Sequence, residues 1–207
     1  KTTIARILAK YLKAIGALRG GQLVEVTRAD LVGRYVGHTA PLTNSVIQSA
    51  LGGVLFIDEA YALYRGGEDS FGLEAIDTLV KGIEDHRDDL VVILAGYTKE
   101  MQLFLSANSG LASRFPNQIE FPDYSGEELY KILCSIAKGK GYTLDDACKL
   151  PLVTYFDRKQ VEDAATNGNG RMARNTLEKA ILNQSKRLVA DPDASLELLL
   201  PGDFELE

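Results

Sequence analysis

Two adjacent carboxylates, Asp58 and Glu59, follow directly on the apolar run Val54-Leu55-Phe56-Ile57. A buried strand of a parallel sheet reads as such a continuous run, and its end delivers side chains to the sheet edge where ligands bind. Side by side there, one carboxylate can help hold a divalent cation while the other polarises a water for attack on a phosphoryl group. The chain opens on Lys1-Thr2-Thr3, which reads as the last part of the phosphate-binding pattern G-x-x-x-x-G-K-[ST], with its lysine as residue 1. Neither piece decides alone, because strands ending in solvated acids and exposed terminal lysines are both common. Order and distance join them: a helix, a second strand and a further helix are expected between the two.

The elements that must position these groups follow from periodicity. Ile4, Ile7, Leu8, Tyr11, Leu12 and Ile15 recur at helical spacing up to Gly16, and Gln22 to Val26 reads as a strand. Asp30 to Gly37 is expected as a loop and Leu42 to Leu51 as a helix that stops at Gly52-Gly53. After the acids, Leu73, Ile76, Leu79, Val80 and Ile83 share a helical face, and Leu90 to Ala95 is another apolar strand. Strands alternating with helices specify an α/β fold with a parallel sheet. From Ser125 the strand signals fade into a helical region that starts with Leu129, Ile132, Leu133 and Ile136 and includes a final helix near Met172 to Leu188. Pro122-Asp123-Tyr124 is the expected hinge. The predicted divisions are therefore 1–122, 123–190 and a loosely structured tail over 191–207.

At 207 residues, with 45% hydrophobic and 25% charged residues, the chain can bury one good core and a small second domain. A net charge of -6 and a pI near 5.1 argue against a broad nucleic-acid surface. Cys134, Cys148, His38 and His86 stand apart, so no transition-metal site is legible and the cysteines read as core residues of a reducing compartment. No apolar run reaches membrane-spanning length. A cytoplasmic or organelle-interior setting is expected, and any targeting segment would lie upstream of Lys1.

Five blocks in order carry a resemblance: Ala29 to Thr39, Gly52 to Tyr61, Ile93 to Tyr97, Gly110 to Phe115, and Phe121 to Tyr124. With them the chain resembles AAA+ ATPases, in the branch that contains red-type Rubisco activases and the stage V sporulation protein K. The resemblance implies a P-loop NTPase domain with a five-stranded parallel sheet, a small helical lid and assembly into six-membered rings. It implies ATP and Mg²⁺ as ligands, with Lys1 on the β and γ phosphates, Thr2 and Asp58 on the metal, and Glu59 orienting the water. Arg114, in Gly-Leu-Ala-Ser-Arg-Phe, matches the arginine that reaches into the neighbouring subunit's site, where a guanidinium can bridge two phosphate oxygens. Arg171 matches the second sensor, with Arg174 one turn on as a possible helper. For the first sensor, Tyr97 and Thr98 both offer hydroxyls, and the sequence does not choose between them.

Tyr35-Val36-Gly37 fits the aromatic-apolar-glycine loop with which ring ATPases grip a polypeptide in the central pore, and Tyr64-Arg65 is a candidate second loop. An aromatic ring grips many side chains, and glycine lets the loop swing. The implied activity is ATP-driven remodelling of a client protein through a ring pore. Two rivals are a nucleotide-gated scaffold with little turnover, which would need no water-orienting Glu59, and a DNA-handling member of the family, whose binding would fall steeply with salt. The Gly-rich loop that would precede Lys1 supplies the backbone N–H nest around the β-phosphate. Without it Lys1 is a charged side chain on a frayed terminus. Isothermal titration of this 207-residue chain with Mg-ATP is therefore expected to show weak or no binding, and micromolar affinity would overturn that expectation.

Overall fold

Three short apolar segments become parallel strands in the order β1 (Leu23–Val26), β2 (Val54–Ile57) and β3 (Val91–Leu94). The register sets Leu23 opposite Val54 opposite Val91, and Val26 opposite Ile57 opposite Leu94, so all three strands end level. The computed structural model describes residues 1–107, 109–162, 168–191 and 194–206. The chain divides into two units, Lys1–Phe121 and Pro122–Glu207, each described below by itself.

In the first unit α1 (Thr2–Ala14) lies on one face of the sheet, while α2 (Arg28–Leu31), α3 (Thr39–Ala50) and α4 (Ser70–Asp85) build the other. Phe56 packs with Ala5 and Ala95, and Val54 with Ala9 and Leu18. Leu55 and Ile57 point the opposite way, into a core with Leu31, Ile47, Leu63, Ile76 and Leu79. Coverage on both faces is why β2 carries no polar alternation, and all four of its residues are buried. α5 (Thr98–Ala107) and α6 (Ser109–Arg114) follow β3, contributing Phe104 and Leu111 to that core.

Two expectations change here, and the buried face of α1 is one that the sequence does not assign. The apolar stripe of α1 is not its core face: the small Ala5 and Ala9 meet the sheet, Leu8 and Leu12 are half-buried, and Ile4, Ile7, Tyr11 and Ile15 are exposed. Periodicity finds a stripe but cannot say which side of it a neighbour covers. Part of the loop expected from Asp30 is the end of α2, whose start is fixed by Thr27 and Asp30 in a reciprocal capping box. The five-stranded sheet implied by the resemblance is represented by three strands among the described residues, and 116–121 lies outside any ladder with Ile119 exposed.

The second unit packs α7 (Gly126–Gly139), α8 (Lys149–Glu162) and α9 (Gly170–Ala190) through Leu129, Leu133, Leu152, Phe156, Ala173 and Leu177. Ser125 caps α7, accepting from the Glu128 N–H while the Glu128 carboxylate accepts from the Ser125 N–H. Cys148 is buried, and burial pushes its thiol up to about 11, which keeps it protonated and unreactive at neutral pH. Cys134 is half-buried.

Residues 194–206 are not the loose tail that their mixture of acids, leucines and prolines predicts. β5 (Leu198–Leu199) pairs in parallel with β4 (Thr143–Leu144), and Leu199 and Phe204 enter the core. Asp203 is buried, receiving Nε and Nη2 of Arg187 at 2.9 Å each and the Leu200 N–H at 2.8 Å. Gln184, also buried, donates to the carbonyls of Leu196 and Leu198. A polar anchor of this kind is invisible to a reading based on hydrophobic pattern.

Burial alone would raise the Asp203 carboxyl, but Arg187 and the Leu200 N–H outweigh it and hold the group below the usual carboxylate range. A folded value below the unfolded one stabilises at pH above the unfolded value near 3.9, and that stabilisation is lost as pH falls through the folded value. Asp203→Asn is expected to cost about 1.5–3 kcal/mol at pH 7, toward the lower end because Arg187 is partly exposed. In urea titrations the gap between parent and variant should narrow as pH falls below about 4.

Candidate functional site

The level strand ends make one edge from which the acids emerge. The Asp58 N–H still donates to the Val26 carbonyl at 2.9 Å, which keeps residue 58 in the ladder. At Glu59 the backbone swings into the left-handed region, φ 49° and ψ 46°, and the Ala60 N–H then bonds the Ala95 carbonyl at 3.0 Å. Such a conformation costs a non-glycine residue roughly 1–2 kcal/mol. It persists because Ile57 and Ala60, on either side of the acids, are fully buried and both neighbouring strands are tied to the turn. Both carboxylates are left exposed, with an Asp58 Oδ1 accepting the Glu59 N–H at 3.0 Å.

The packing of Ala5 on Phe56 and Ala95 sets the first turn of α1 against this same edge. The Lys1 ammonium donates to the Gly96 carbonyl and lies 5.8 Å from the Tyr97 ring centroid. Gly96 follows Ala95, the residue that receives Ala60, so Lys1, the 95–97 segment and the acid turn share one corner. Thr2 is the first residue of α1 and is half-buried. Tyr97 is exposed and Thr98 opens α5, also exposed. Tyr61, to which the sequence gives no role, sits 6.4 Å from Tyr97 between ring centroids. Its hydroxyl is raised by burial and by the nearby Glu59, Tyr97, Glu100 and Asp58, so the corner is rich in negative charge. A cleft of about 380 Å³ beside the acids is lined by Thr27, Arg28, Asp58, Glu59, Ala62 and Arg65.

Each remaining predicted residue is placed by its own element. Tyr35 and Val36 are 68% and 86% exposed at the tip of the loop between α2 and α3, and Gly37 takes φ +80° with open space around it. The base of that loop is tight, since the Gly33 N–H donates to the Thr39 hydroxyl and a Cβ at Gly33 would stand 2.7 Å from His38 Cβ. Arg114 closes α6 and is held in the chain: Nη1 donates to the Gly110 carbonyl at 3.2 Å, and Nη2 lies 3.4 Å from the Glu84 carboxylate near the end of α4. α4 returns from the acid edge toward the amino ends of the strands, and its 16 residues span roughly 24 Å. Arg114 is therefore not gathered with Lys1 and the acids. In the second unit Arg171 and Arg174 are exposed on the first turn and a half of α9.

A lysine and hydroxyl at a helix start, beside a carboxylate at the end of a parallel strand, suit a phosphate chain and a hard cation, since Mg²⁺ takes oxygen ligands and leaves several positions to water and phosphate. No cluster of three or more His, Cys, Asp or Glu that could hold a metal occurs among the described residues.

Fold and edge together define an α/β nucleotide-binding unit followed by a helical lid. The chain belongs to the AAA family: residues 1–123 match the ATPase family associated with various cellular activities (AAA), and residues 125–207 match the AAA lid domain. ATP binding and hydrolysis are general properties of that family. The chain is 48% identical over 190 residues to stage V sporulation protein K of Bacillus subtilis, covering 91% of this chain and 59% of that protein. It is 44% identical over 197 residues to the chloroplastic ribulose bisphosphate carboxylase/oxygenase activase of Cyanidioschyzon merolae, covering 95% and 67%, and 45% identical over 198 residues to protein CbbX of Cereibacter sphaeroides, covering 95% and 63%. The chain thus spans roughly three fifths of the first of these relatives. Among solved structures, the FIGL-1 AAA domain in complex with ADP superposes with a TM-score of 0.57 at 15% identity, over 87% of this chain and 59% of that one, a likeness of fold. No helix among the described residues is long and apolar enough to cross a membrane.

The left-handed turn gives a stability test independent of activity. Glu59→Gly should leave the unfolding free energy within about 1 kcal/mol of the parent, because relief of the turn offsets the greater freedom of the unfolded chain. Glu59→Val, β-branched at a positive φ, should lose roughly 1–2 kcal/mol. Chemical denaturation of the three proteins reads both.

Proposed function

We propose that the intact protein is an ATP-driven remodeller of a client protein, assembled as a ring. The observation that carries this reading is the shared corner of Lys1, the 95–97 segment and the acid turn at the carboxyl edge of the sheet. A triphosphate bound there would meet the Lys1 ammonium on its β and γ phosphates. Thr2 and Asp58 would hold Mg²⁺, which supplies charge neutralisation for the departing phosphoryl group.

Glu59 leaves the edge exposed, able to accept a proton from a water and orient it. The hydroxyls of Tyr97, whose ring lies near Lys1, and of Thr98 are the groups available to fix that water's position. Arg114 would serve a neighbouring subunit. Its place by Glu84, a helix length from its own chain's acids, supports a role in trans, and assembly would be heterologous, each finger face meeting the next nucleotide face. Arg171, helped by Arg174, would report the γ-phosphate to the lid. Tyr35, Val36 and Gly37 form an exposed loop tip suited to gripping polypeptide in the pore. The names of the relatives, an activase of Rubisco and a sporulation protein, support a protein client without choosing one.

In the complete protein Glu59→Gln is expected to bind ATP while its steady-state phosphate release drops by about 10²-fold or more. Tyr35→Ala should keep that ATPase and lose work on the client. Unchanged phosphate release from Glu59→Gln would sink the hydrolytic reading in favour of a scaffold, and full remodelling by Tyr35→Ala would remove the threading step alone.

A further inference from the structure

Arg28 opens α2 immediately after β1, yet its guanidinium is spent on a different segment. Nη1 donates to the carbonyls of Ala62 at 2.9 Å and Leu63 at 3.2 Å and to Asp69 Oδ2 at 2.7 Å, while Nη2 donates to Asp69 Oδ1 at 3.0 Å. Both side chains are mostly buried, 18% and 15% exposed. Asp69 in turn accepts the Gly72 N–H at 3.1 Å and so caps α4. There is no slack in this knot: a Cβ at residue 72 would stand 2.1 Å from the Leu63 carbonyl oxygen and 2.9 Å from Arg28 Nη1. The segment from Glu59 to Gly72, which carries the left-handed turn, is thus closed upon itself by one guanidinium anchored outside it.

That anchor is also the root of the Tyr35 loop. The Arg28 carbonyl accepts the Val32 N–H at 2.9 Å, and the Leu31 carbonyl, at a fully buried residue, accepts the Thr43 hydroxyl at 2.8 Å. α2 is therefore a short rigid lever with the exposed loop at one end and the Arg28 fork at the other. A movement of the Glu59 turn that reaches Ala62, Leu63 or Asp69 is passed to the guanidinium, and from it to α2. Only a planar fork with several donors can hold two carbonyls and a bidentate carboxylate together; the lysine ammonium offers fewer donors and no plane.

We infer that Arg28, with Asp69, is a positioning pair that sets the Glu59 turn and mechanically links it to the Tyr35 loop. The pair does not touch the reacting atoms. This inference rests on the roles proposed for Glu59 and Tyr35, and its test separates the two. In the complete, assembled protein, Arg28→Lys should leave the KM for ATP within about threefold, since Lys1, Thr2 and Asp58 are untouched, and lower kcat by about tenfold. Hydrogen exchange over 32–38 should respond to Mg-ATPγS in the parent and cease to respond in the variant. A merely structural staple would lower the melting temperature while sparing kcat and the nucleotide response, and that result overturns the inference, as does a parent whose 32–38 segment ignores nucleotide. Should Arg28→Lys fail to fold, Asp69→Asn, which keeps the side-chain shape and the oxygen that caps Gly72, carries the same comparison. Glu59→Gln serves as the control. If it leaves turnover unchanged, the reading of Glu59 fails; if it stops turnover while Arg28→Lys keeps both kcat and the loop response, only the link fails.

Discussion

Burial of β2 on both faces and pairing along both of its edges fix where two carboxylates leave the sheet. Four apolar residues are held by β1 and β3 in register and covered by α1 on one side and by α3 and α4 on the other. A one-residue slip of this strand would exchange Leu55 and Ile57 with Val54 and Phe56 and carry Asp58 off the edge. The strain at Glu59 is sustained by that lock. The turn stays left-handed because Ile57 before the acids and Ala60 after them are buried, and the Ala60 N–H is committed to the strand beside it. The position of α1 follows as well, since Ala5 can reach Phe56 only with the helix start at the carboxyl ends of the strands, where Lys1 meets Gly96.

The two units use one polar device. In each, an arginine fork binds a bidentate aspartate that itself accepts a backbone N–H, Arg28 with Asp69 and Gly72 in the first, Arg187 with Asp203 and Leu200 in the second. In each, the guanidinium also takes backbone carbonyls outside the α-helices, those of Ala62 and Leu63 or that of Leu198 in the short strand β5. Irregular backbone brought into the interior leaves donors and acceptors that regular ladders would have satisfied. A charged fork satisfies several at once, and removing one partner leaves the other charge poorly solvated. The consequence differs with location: in the second unit the fork fastens a terminal segment onto α9, and in the first it fastens the turn that bears Glu59.

How far the sequence spoke depended on the range of the interaction. The three strands, the acids at the end of one of them and the long helices were legible because each is written in consecutive apolar residues or a 3.6-residue period. The buried face of α1 was not legible, because its stripe of isoleucines marks amphipathicity, whereas the sheet selected the alanines that permit close approach. The terminal segment was missed because what orders it, Asp203 on Arg187 and Gln184 on two carbonyls, joins residues 11–16 apart through side chains of ordinary appearance. Arg28, Asp69 and Gly72 were invisible for the same reason, being an arginine in a short helix, an acid before a serine and one of 19 glycines. Tyr61 alone carried a signal, its place directly after Asp58-Glu59-Ala60.

Arg114 shows what a fold can say about a residue whose expected partner is another molecule. An arginine intended for its own chain's phosphate would have to stand at the carboxyl edge of the sheet with Lys1. Instead α4 separates it from the acids by its own length, and Glu84 occupies one arm of the guanidinium while the other reaches the Gly110 carbonyl. The Glu84 carboxylate is more than half exposed and 3.4 Å away, a contact worth little in water. A terminal phosphate, its negative charge shared over several oxygens, would compete for that arm with ease in a drier interface, because the same charge interacts far more strongly once solvent is displaced. The Arg114 Nε, buried with no hydrogen-bond partner among the described residues, means that the present arrangement leaves part of the fork unsatisfied. A weakly held and incompletely bonded guanidinium is what the proposed trans role requires: stable enough to be pointed by α6, and loose enough to be released to a neighbour.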